Sequence, residues 1–378
     1  MQEIRVGVVG LGFIGKQHVE ALSRIPGIIV AAVADKNPES EEWCFQNGIK
    51  KFYQDYQIMI EEEKLCAIHD CTPNALHWDV NRIALENGCH VYSEKPLTMK
   101  SDDALKLCKL AQEKRLIGGV NLNYRNNAMI QEMRERVSNG SLGTITHIQV
   151  EYLQDWLLYD TDFDWRIMKN IGGVSRAVAD IGSHCFDIIQ YITSEKIVSV
   201  LATFHKQYEK RKRYNTNETF MSKDKSVPYE EVKVENEDSA CILIELESGV
   251  KGSINISQIC SGKKNDFKVL IGGTKEALEW NQEIPDRLWV GHRDEGNEIL
   301  YAAKQYLTDY AKSFASLPNG HPIGWKDALT KGMEEFYKEI KNPSEKFRFA
   351  SFEDGYYLTK IVEACVKSQE QEKWISVR

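Results

Sequence analysis

The stretch Val6-Gly7-Val8-Val9-Gly10-Leu11-Gly12-Phe13-Ile14-Gly15 constrains this chain more than any other part of it. A short apolar run leads into Gly-x-Gly-x-x-Gly, and a helical pattern follows. Each glycine of the triplet has its own physical reason. Gly10 permits a tight turn, Gly12 lets backbone N–H groups approach a pyrophosphate in the loop that also holds Phe13 and Ile14, and Gly15 allows the helix to pack closely on the strand. Asp35 closes the second apolar run about 20 residues after Gly15, where a carboxylate can accept hydrogen bonds from ribose hydroxyls. A carboxylate also repels a 2′-phosphate, so the expected cofactor is NAD. Lys36, immediately after it, supplies a compensating charge that leaves NADP open.

From residue 4 to about 124 short apolar runs alternate with helical patterns: Ile4 to Val9, Ile28 to Ala34, Ala67 to Cys71, His90 to Ser93 and Ile117 to Asn121, with helices at 14–24 and 101–115 among those between them. Such alternation predicts a parallel sheet with crossover helices, an α/β Rossmann domain over 1–124. The helix at 101–115 is expected to open on Ser101 as N-cap, with Asp102 and Asp103 in its first turn where the helix dipole favours carboxylates. After residue 125 the texture changes. Helical runs at 126–138 and 174–192 flank the strand-like Thr144 to Tyr152, and 197–204, 239–246, 250–257 and 267–271 alternate with period two. Consecutive strands without helices between them predict an antiparallel sheet with one covered face, in an α+β domain over 125–378. The segment 205–232, rich in Lys, Arg, Tyr and Glu, is expected to form a long exposed hairpin or a mobile loop.

Composition narrows the function. The 378 residues are 42% apolar, enough for more than one core and hence two domains. A formal net charge of -8 argues against nucleic acid or an anionic membrane as partner and in favour of a small molecule. The N-terminus runs straight into a strand without the features of a secretion signal, and no run of about 18 apolar residues occurs. Nine scattered cysteines without Cys-x-x-Cys spacing read as reduced thiols, so a cytoplasmic protein with no metal site is expected.

Three further motifs could carry chemistry. Cys71-Thr72-Pro73-Asn74-Ala75-Leu76-His77 follows an apolar strand, so Asn74 or His77 can face the crevice at the sheet's carboxyl edge, or the stretch is simply a capped helix start. Ser93-Glu94-Lys95-Pro96-Leu97 ends another strand; there a lysine on a rigid proline turn can point into the same crevice or into solvent. Asp180-Ile181-Gly182-Ser183-His184 reads as helix, and positions i and i+4 share a face. A histidine with a carboxylate one turn away suits proton transfer near neutral pH, and equally it suits a satisfied structural histidine.

Taken in order, these residues resemble the glucose-fructose oxidoreductase, inositol dehydrogenase and MocA family. The resemblance extends to Gly119-Val120-Asn121-Leu122-Asn123-Tyr124-Arg125, Trp165-Arg166 and Gly172-Gly173, and so covers nearly the whole chain. It implies a Rossmann domain followed by a domain with an open, mostly antiparallel sheet used for dimer or tetramer contacts. It further implies that Lys95, Asp180 and His184 form the catalytic set, that Thr72, Asn74, His77, Glu94, Trp165 and Arg166 lie around the cofactor, and that Asn123 and Arg166 sit near the substrate. Asp155-Trp156-Leu157-Leu158 and Asn319-Gly320-His321-Pro322-Ile323-Gly324-Trp325 look like those of members acting on sugars or anhydrosugars. Val174-Ser175-Arg176-Ala177-Val178-Ala179 departs from the family's smaller residues, and Arg176 is expected to alter the substrate pocket.

The activity implied is hydride transfer between nicotinamide and a secondary alcohol of a sugar, anhydrosugar or cyclic polyol. Either His184 or Lys95 could take the alcohol proton. Two alternatives on the same fold are an NAD-retaining glycosidase or epimerase, and a non-catalytic NAD-sensing regulator.

Overall fold

A computed structural model describes residues 3–214, 228–344 and 347–377. The chain forms two compact units. The first holds residues up to Asn126 together with Lys326–Thr359, and the second holds Asn127–Trp325 together with the chain from Lys360 on. The sequence reading has one crossing near residue 124, whereas the chain crosses three times. The reason lies in the helix Trp325–Lys341, which buries Ala328, Leu329, Gly332, Met333, Phe336 and Tyr337. Phe336 packs against Tyr92 with ring centroids 5.1 Å apart, and Tyr337 stacks on His69 at 5.9 Å. An amphipathic pattern announces that one face is buried, but not against what.

In the first unit the elements follow as β1 (Ile4–Val9), α1 (Phe13–Ser23), β2 (Ile28–Ala34), α2 (Ser40–Gln46), β3 (Phe52–Tyr53), α3 (Tyr56–Glu62), β4 (Ala67–Asp70), α4 (His77–Glu86), β5 (His90–Ser93), α5 (Ser101–Lys114) and β6 (Gly118–Val120). The sheet order is β3-β2-β1-β4-β5-β6, all parallel, and the strand Ala350–Ser351 adds antiparallel to β6. This is the doubly wound order of a dinucleotide-binding sheet. The strands read as continuous apolar runs because helices cover both faces; Val6, Val8, Val33, Ile68 and Val91 are fully buried. Lys100, not Ser101, occupies the N-cap position of α5, so Ser101 is its first helical residue.

The second unit contains α6 (Ala128–Ser138), β7 (Ile145–Leu153), α7 (Lys169–Gly172), α8 (Ser183–Thr193), β8 (Ile197–His205), β9 (Lys210–Tyr214), β10 (Tyr229–Lys233), β11 (Ser239–Leu246), β12 (Lys251–Ser257), β13 (Asp266–Gly273), β14 (Glu276–Asn281), β15 (Arg287–His292) and β16 (Glu298–Tyr301). Nine strands form one sheet in the order β16-β15-β14-β13-β7-β12-β11-β8, closed at the far edge by the strand Ile375–Ser376. Every pairing is antiparallel except β7 with β12. Period two decides which face is covered: on β11 Ala240, Ile242, Ile244 and Leu246 are buried, whereas Cys241 and Leu243 are exposed. The basic and tyrosine-rich segment contains a hairpin of β9 with β10, in which Tyr214 faces Tyr229; residues 215–227 of the expected loop lie outside the described residues. All nine cysteines are free thiols. Among the described residues no helix is long and apolar enough to cross a membrane.

Candidate active site

In the first unit the parallel strands end along one edge, and ligands of open α/β sheets bind outside the carboxyl ends of strands. Gly10 follows β1, Asp35 follows β2, Thr72 comes two residues after β4, Glu94 and Lys95 follow β5, and Asn121 follows β6. Gly10 has φ +87°, and a Cβ on it would stand 2.7 Å from the Cys71 carbonyl oxygen. A Cβ on Gly15 would lie 1.9 Å from the Gly10 carbonyl oxygen, so the helix passes too close to the turn for any side chain. A Cβ on Gly12 would meet no atom within 4 Å. No side chain caps α1, and its first turn holds no acidic residue, so its own side chains do not neutralise its positive end. This open, electropositive backbone cradle fits a pyrophosphate.

Asp35 does more than the sequence suggested. Its Oδ2 accepts the Leu11 N–H and its Oδ1 accepts the Asn37 N–H at 2.8 Å, which fastens the end of β2 to the glycine turn. Thr72 donates its hydroxyl to Asp70 Oδ1 at 2.6 Å. His77, 1% exposed, sets Nδ1 2.7 Å from the Pro96 carbonyl oxygen and Nε2 2.8 Å from that of Thr72. It thereby joins two turns of the crevice edge. Asn74 opens the short 3₁₀ turn before α4, and Asn123 is buried in the 3₁₀ turn Asn123–Asn126.

Lys95 is half-buried, precedes Pro96 through a cis peptide bond, and donates its backbone N–H to Glu94 Oε2 at 3.2 Å. Beneath it runs a network the sequence reading missed. Glu94 Oε1 receives Asn121 Nδ2 at 2.5 Å and contacts His18 Nε2 at 3.1 Å. His18 Nδ1 meets His69 Nδ1 at 3.0 Å, and His69 Nε2 meets the Tyr337 hydroxyl at 2.6 Å. Burial pushes the Glu94 carboxyl up, but the His18 hydrogen bond and charge, with Asn121 and Lys95, outweigh it and hold the group at about 2. Burial, helped by His18, pushes His69 well down. His18 sits three residues after Gly15, on the face of α1 that also buries Val19 and Leu22. Only the fold reveals that its partners come from β4 and the turn after β5.

The remaining candidates gather in the second unit. Asp164 Oδ1 accepts the Arg166 N–H at 3.0 Å and its guanidinium at 3.1 Å, and that guanidinium stacks 4.3 Å over the Trp165 ring. Arg166 Nε also lies 3.5 Å from Asp180 Oδ1, and Gln258 Nε2 donates to Asp180 Oδ2 at 2.8 Å. The expected plain helix over 174–192 instead opens with a π-turn at Val178–Gly182 and continues as α8. Asp180 stands in that π-turn, and the buried His184 stands in the first turn of α8. Single wide turns of this kind recur at functional sites. Arg176 corrects another expectation. It is 1% exposed and, with Arg211, pairs with the buried Asp238, so it is a core ion pair rather than a pocket wall. Neither Asp164 nor Gln258 stood out in the sequence, because no local spacing links them to Asp180.

The model of an oxidoreductase family with an NAD-binding Rossmann fold matches residues 4–122, and that of the GFO/IDH/MocA C-terminal domain matches residues 130–279. Levoglucosan dehydrogenase of Pseudarthrobacter phenanthrenivorans is 26% identical, with 100% of this chain and 99% of that protein aligned. Myo-inositol 2-dehydrogenase of Thermotoga maritima is 26% identical over 99% of this chain and 98% of its own. Among solved structures, a levoglucosan dehydrogenase in complex with NADH and L-sorbose superimposes with TM-score 0.88 at 25% identity, over 100% of both chains.

Proposed function

Since the chain belongs to the GFO/IDH/MocA family of NAD-binding oxidoreductases, we propose that it oxidises a secondary alcohol of a sugar, anhydrosugar or cyclic polyol. The observation that carries this reading is the edge of the parallel sheet, where the glycine turn, Asp35 and the Lys95 turn follow the ends of β1, β2 and β5. Full-length similarity to dehydrogenases of levoglucosan and of myo-inositol supports the substrate class.

In this reading the backbone from Gly10 to Gly15 receives the pyrophosphate and Asp35 receives the adenosine ribose. Thr72, Asn74, Glu94, Trp165 and Arg166 border the cofactor, and His77 holds the turns that do so. Bound NAD supplies the acceptor for the hydride that leaves the alcohol carbon with two electrons. His184 takes the hydroxyl proton on an imidazole nitrogen as the C–O bond becomes C=O. Lys95 stabilises the developing alkoxide through its ammonium group. Asp180, held by Gln258 and Arg166, orients the histidine or a neighbouring hydroxyl, and Asn123 binds a further substrate hydroxyl.

The test is incubation with NAD and a panel that includes levoglucosan, myo-inositol and free hexoses, read by absorbance of the reduced cofactor. His184→Ala and Lys95→Ala should each lower turnover by roughly 10²–10⁴ with cofactor affinity little changed. Near-normal turnover in both variants would leave the family fold without this site.

A further inference from the structure

The helical run that carries Asp180 and His184 has Ala177 at its N-cap position, whose side chain offers no acceptor to the opening turn. The first backbone N–H groups of a helix need acceptors, and burial makes an unmade bond costly. Here the acceptor arrives from about sixty residues away in the chain. Glu237 Oε1 accepts the Ser175 hydroxyl at 2.7 Å, the Arg176 N–H at 3.0 Å and the Val178 N–H at 2.9 Å. The Ser175 hydroxyl oxygen in turn accepts the Ala179 N–H at 3.2 Å. Glu237 is 4% exposed and Ser175 is 1% exposed, so water does not share these bonds.

The residues on either side of Glu237 extend the same function. Asn236 Nδ2 donates to the Arg166 carbonyl at 3.0 Å. Asp238 pairs with Arg176 and with Arg211 of β9, accepts the Gln207 N–H at 2.7 Å, and through its carbonyl accepts the Gln258 N–H at 3.0 Å. Three consecutive residues thus grip the Arg166 loop, the π-turn, the hairpin and Gln258, which itself holds Asp180.

We propose that Glu237 is the remote N-terminal cap of the Asp180–His184 turn and, within the tripeptide Asn236-Glu237-Asp238, the positioning residue of the substrate half of the site. The proposal rests on the reading above that Asp180 and His184 act on the substrate. It separates a positioning carboxylate from a catalytic one: Glu237 acts through its bonds to Ser175, Arg176 and Val178 of the turn. Small displacements are costly in such a site, because a shift of about 1 Å can lower turnover on the order of 10²-fold.

The test compares Glu237→Ala, Glu237→Gln, Ser175→Ala and His184→Ala with the wild type, by backbone hydrogen exchange and by turnover, with NAD, of the panel alcohol that the wild type oxidises fastest. Glu237→Ala should speed exchange of the amides of residues 176–184 at least about tenfold. It should lower kcat on the order of 10–100-fold while KM for NAD stays within about twofold. Glu237→Gln keeps an acceptor oxygen and should recover most of the turnover, and Ser175→Ala, which loses the bonds to Glu237 and Ala179 but leaves Glu237 on the Arg176 and Val178 N–H groups, should fall between. If Glu237→Ala does not fold, the graded order of Glu237→Gln above Ser175→Ala decides the matter by the same two measurements. Unchanged exchange at 176–184, or equal damage in the Ala and Gln variants, would overturn the proposal. Full activity in His184→Ala, or a wild type inert on every alcohol of the panel, would count against the catalytic reading instead, and the exchange result would still judge the cap.

Discussion

Replacing Glu94 by Gln removes one charge from beneath the Lys95 turn while keeping the size and an acceptor oxygen. The carboxyl is held at about 2 rather than at its ordinary 4.5. At about 1.36 kcal/mol per pH unit, this amounts to about 3 kcal/mol of native stability contributed by the ionised form. A depressed carboxyl contributes fully above its unfolded value and loses the contribution as pH falls through 4.5 towards 2. Wild type should therefore exceed Glu94→Gln by about 3 kcal/mol at pH 7, and the gap should narrow by about 1 kcal/mol at pH 4. Urea-dependent hydrogen exchange of β4 and β5 amides reports on the first unit alone, which matters because two units need not unfold together. A gap identical at pH 7 and pH 4, or no gap at pH 7, would refute the claim that His18, Asn121 and Lys95 together overcome the burial of Glu94.

Three further outcomes are expected. Asp35→Ala should weaken binding of both cofactors, since it also releases the Leu11 N–H, but NAD should suffer more; comparative kinetics with NAD and NADP checks this, and a wild type that strongly prefers NADP contradicts it. Gln258→Ala removes a hydrogen bond to a charged group worth about 1.5–3 kcal/mol, so kcat should fall roughly 10–100-fold with the Kd for NAD unchanged, as steady-state kinetics and titration would read. The open sheet of the second unit is expected to form a dimer or larger assembly, and sedimentation at micromolar concentration should find no monomer.

What the sequence disclosed and what it hid divide along one physical line. The glycine turn, five strands of the parallel sheet (β1, β2, β4, β5 and β6) and β7, β8, β11, β12 and β13 of the second follow from local apolar period and turn chemistry and appear within one or two residues of where those patterns put them, whereas β3 and β14 to β16 were not anticipated. The turn residues Lys95 and Asp35 could be placed at strand ends because a strand end is a local feature. Hidden were the contacts made across the chain: His69 with Tyr337, Gln258 with Asp180, Glu237 with Val178. Arg176 shows the same limit, for its place among smaller residues suggested a substrate pocket while its partner Asp238 holds it in the core. The π-turn escaped notice because it spans only the five residues Val178–Gly182, too few for a change of apolar period to show.

The late strand Ala350–Ser351 has a consequence for how the protein is made. It pairs Ala350 with Val120 and Ser351 with Gly119, so the edge of β6 must wait for a partner translated after nearly the whole second unit. During that interval β6 offers unpaired N–H and C=O groups, the template on which sheets aggregate. Long-range pairing of this kind is slow to form, so the first unit completes late even though its sequence emerges first. A fragment ending near Asn126 would keep the glycine turn and Lys95 yet remain adhesive, and a chaperone's demand on this chain falls in the window between those two strands.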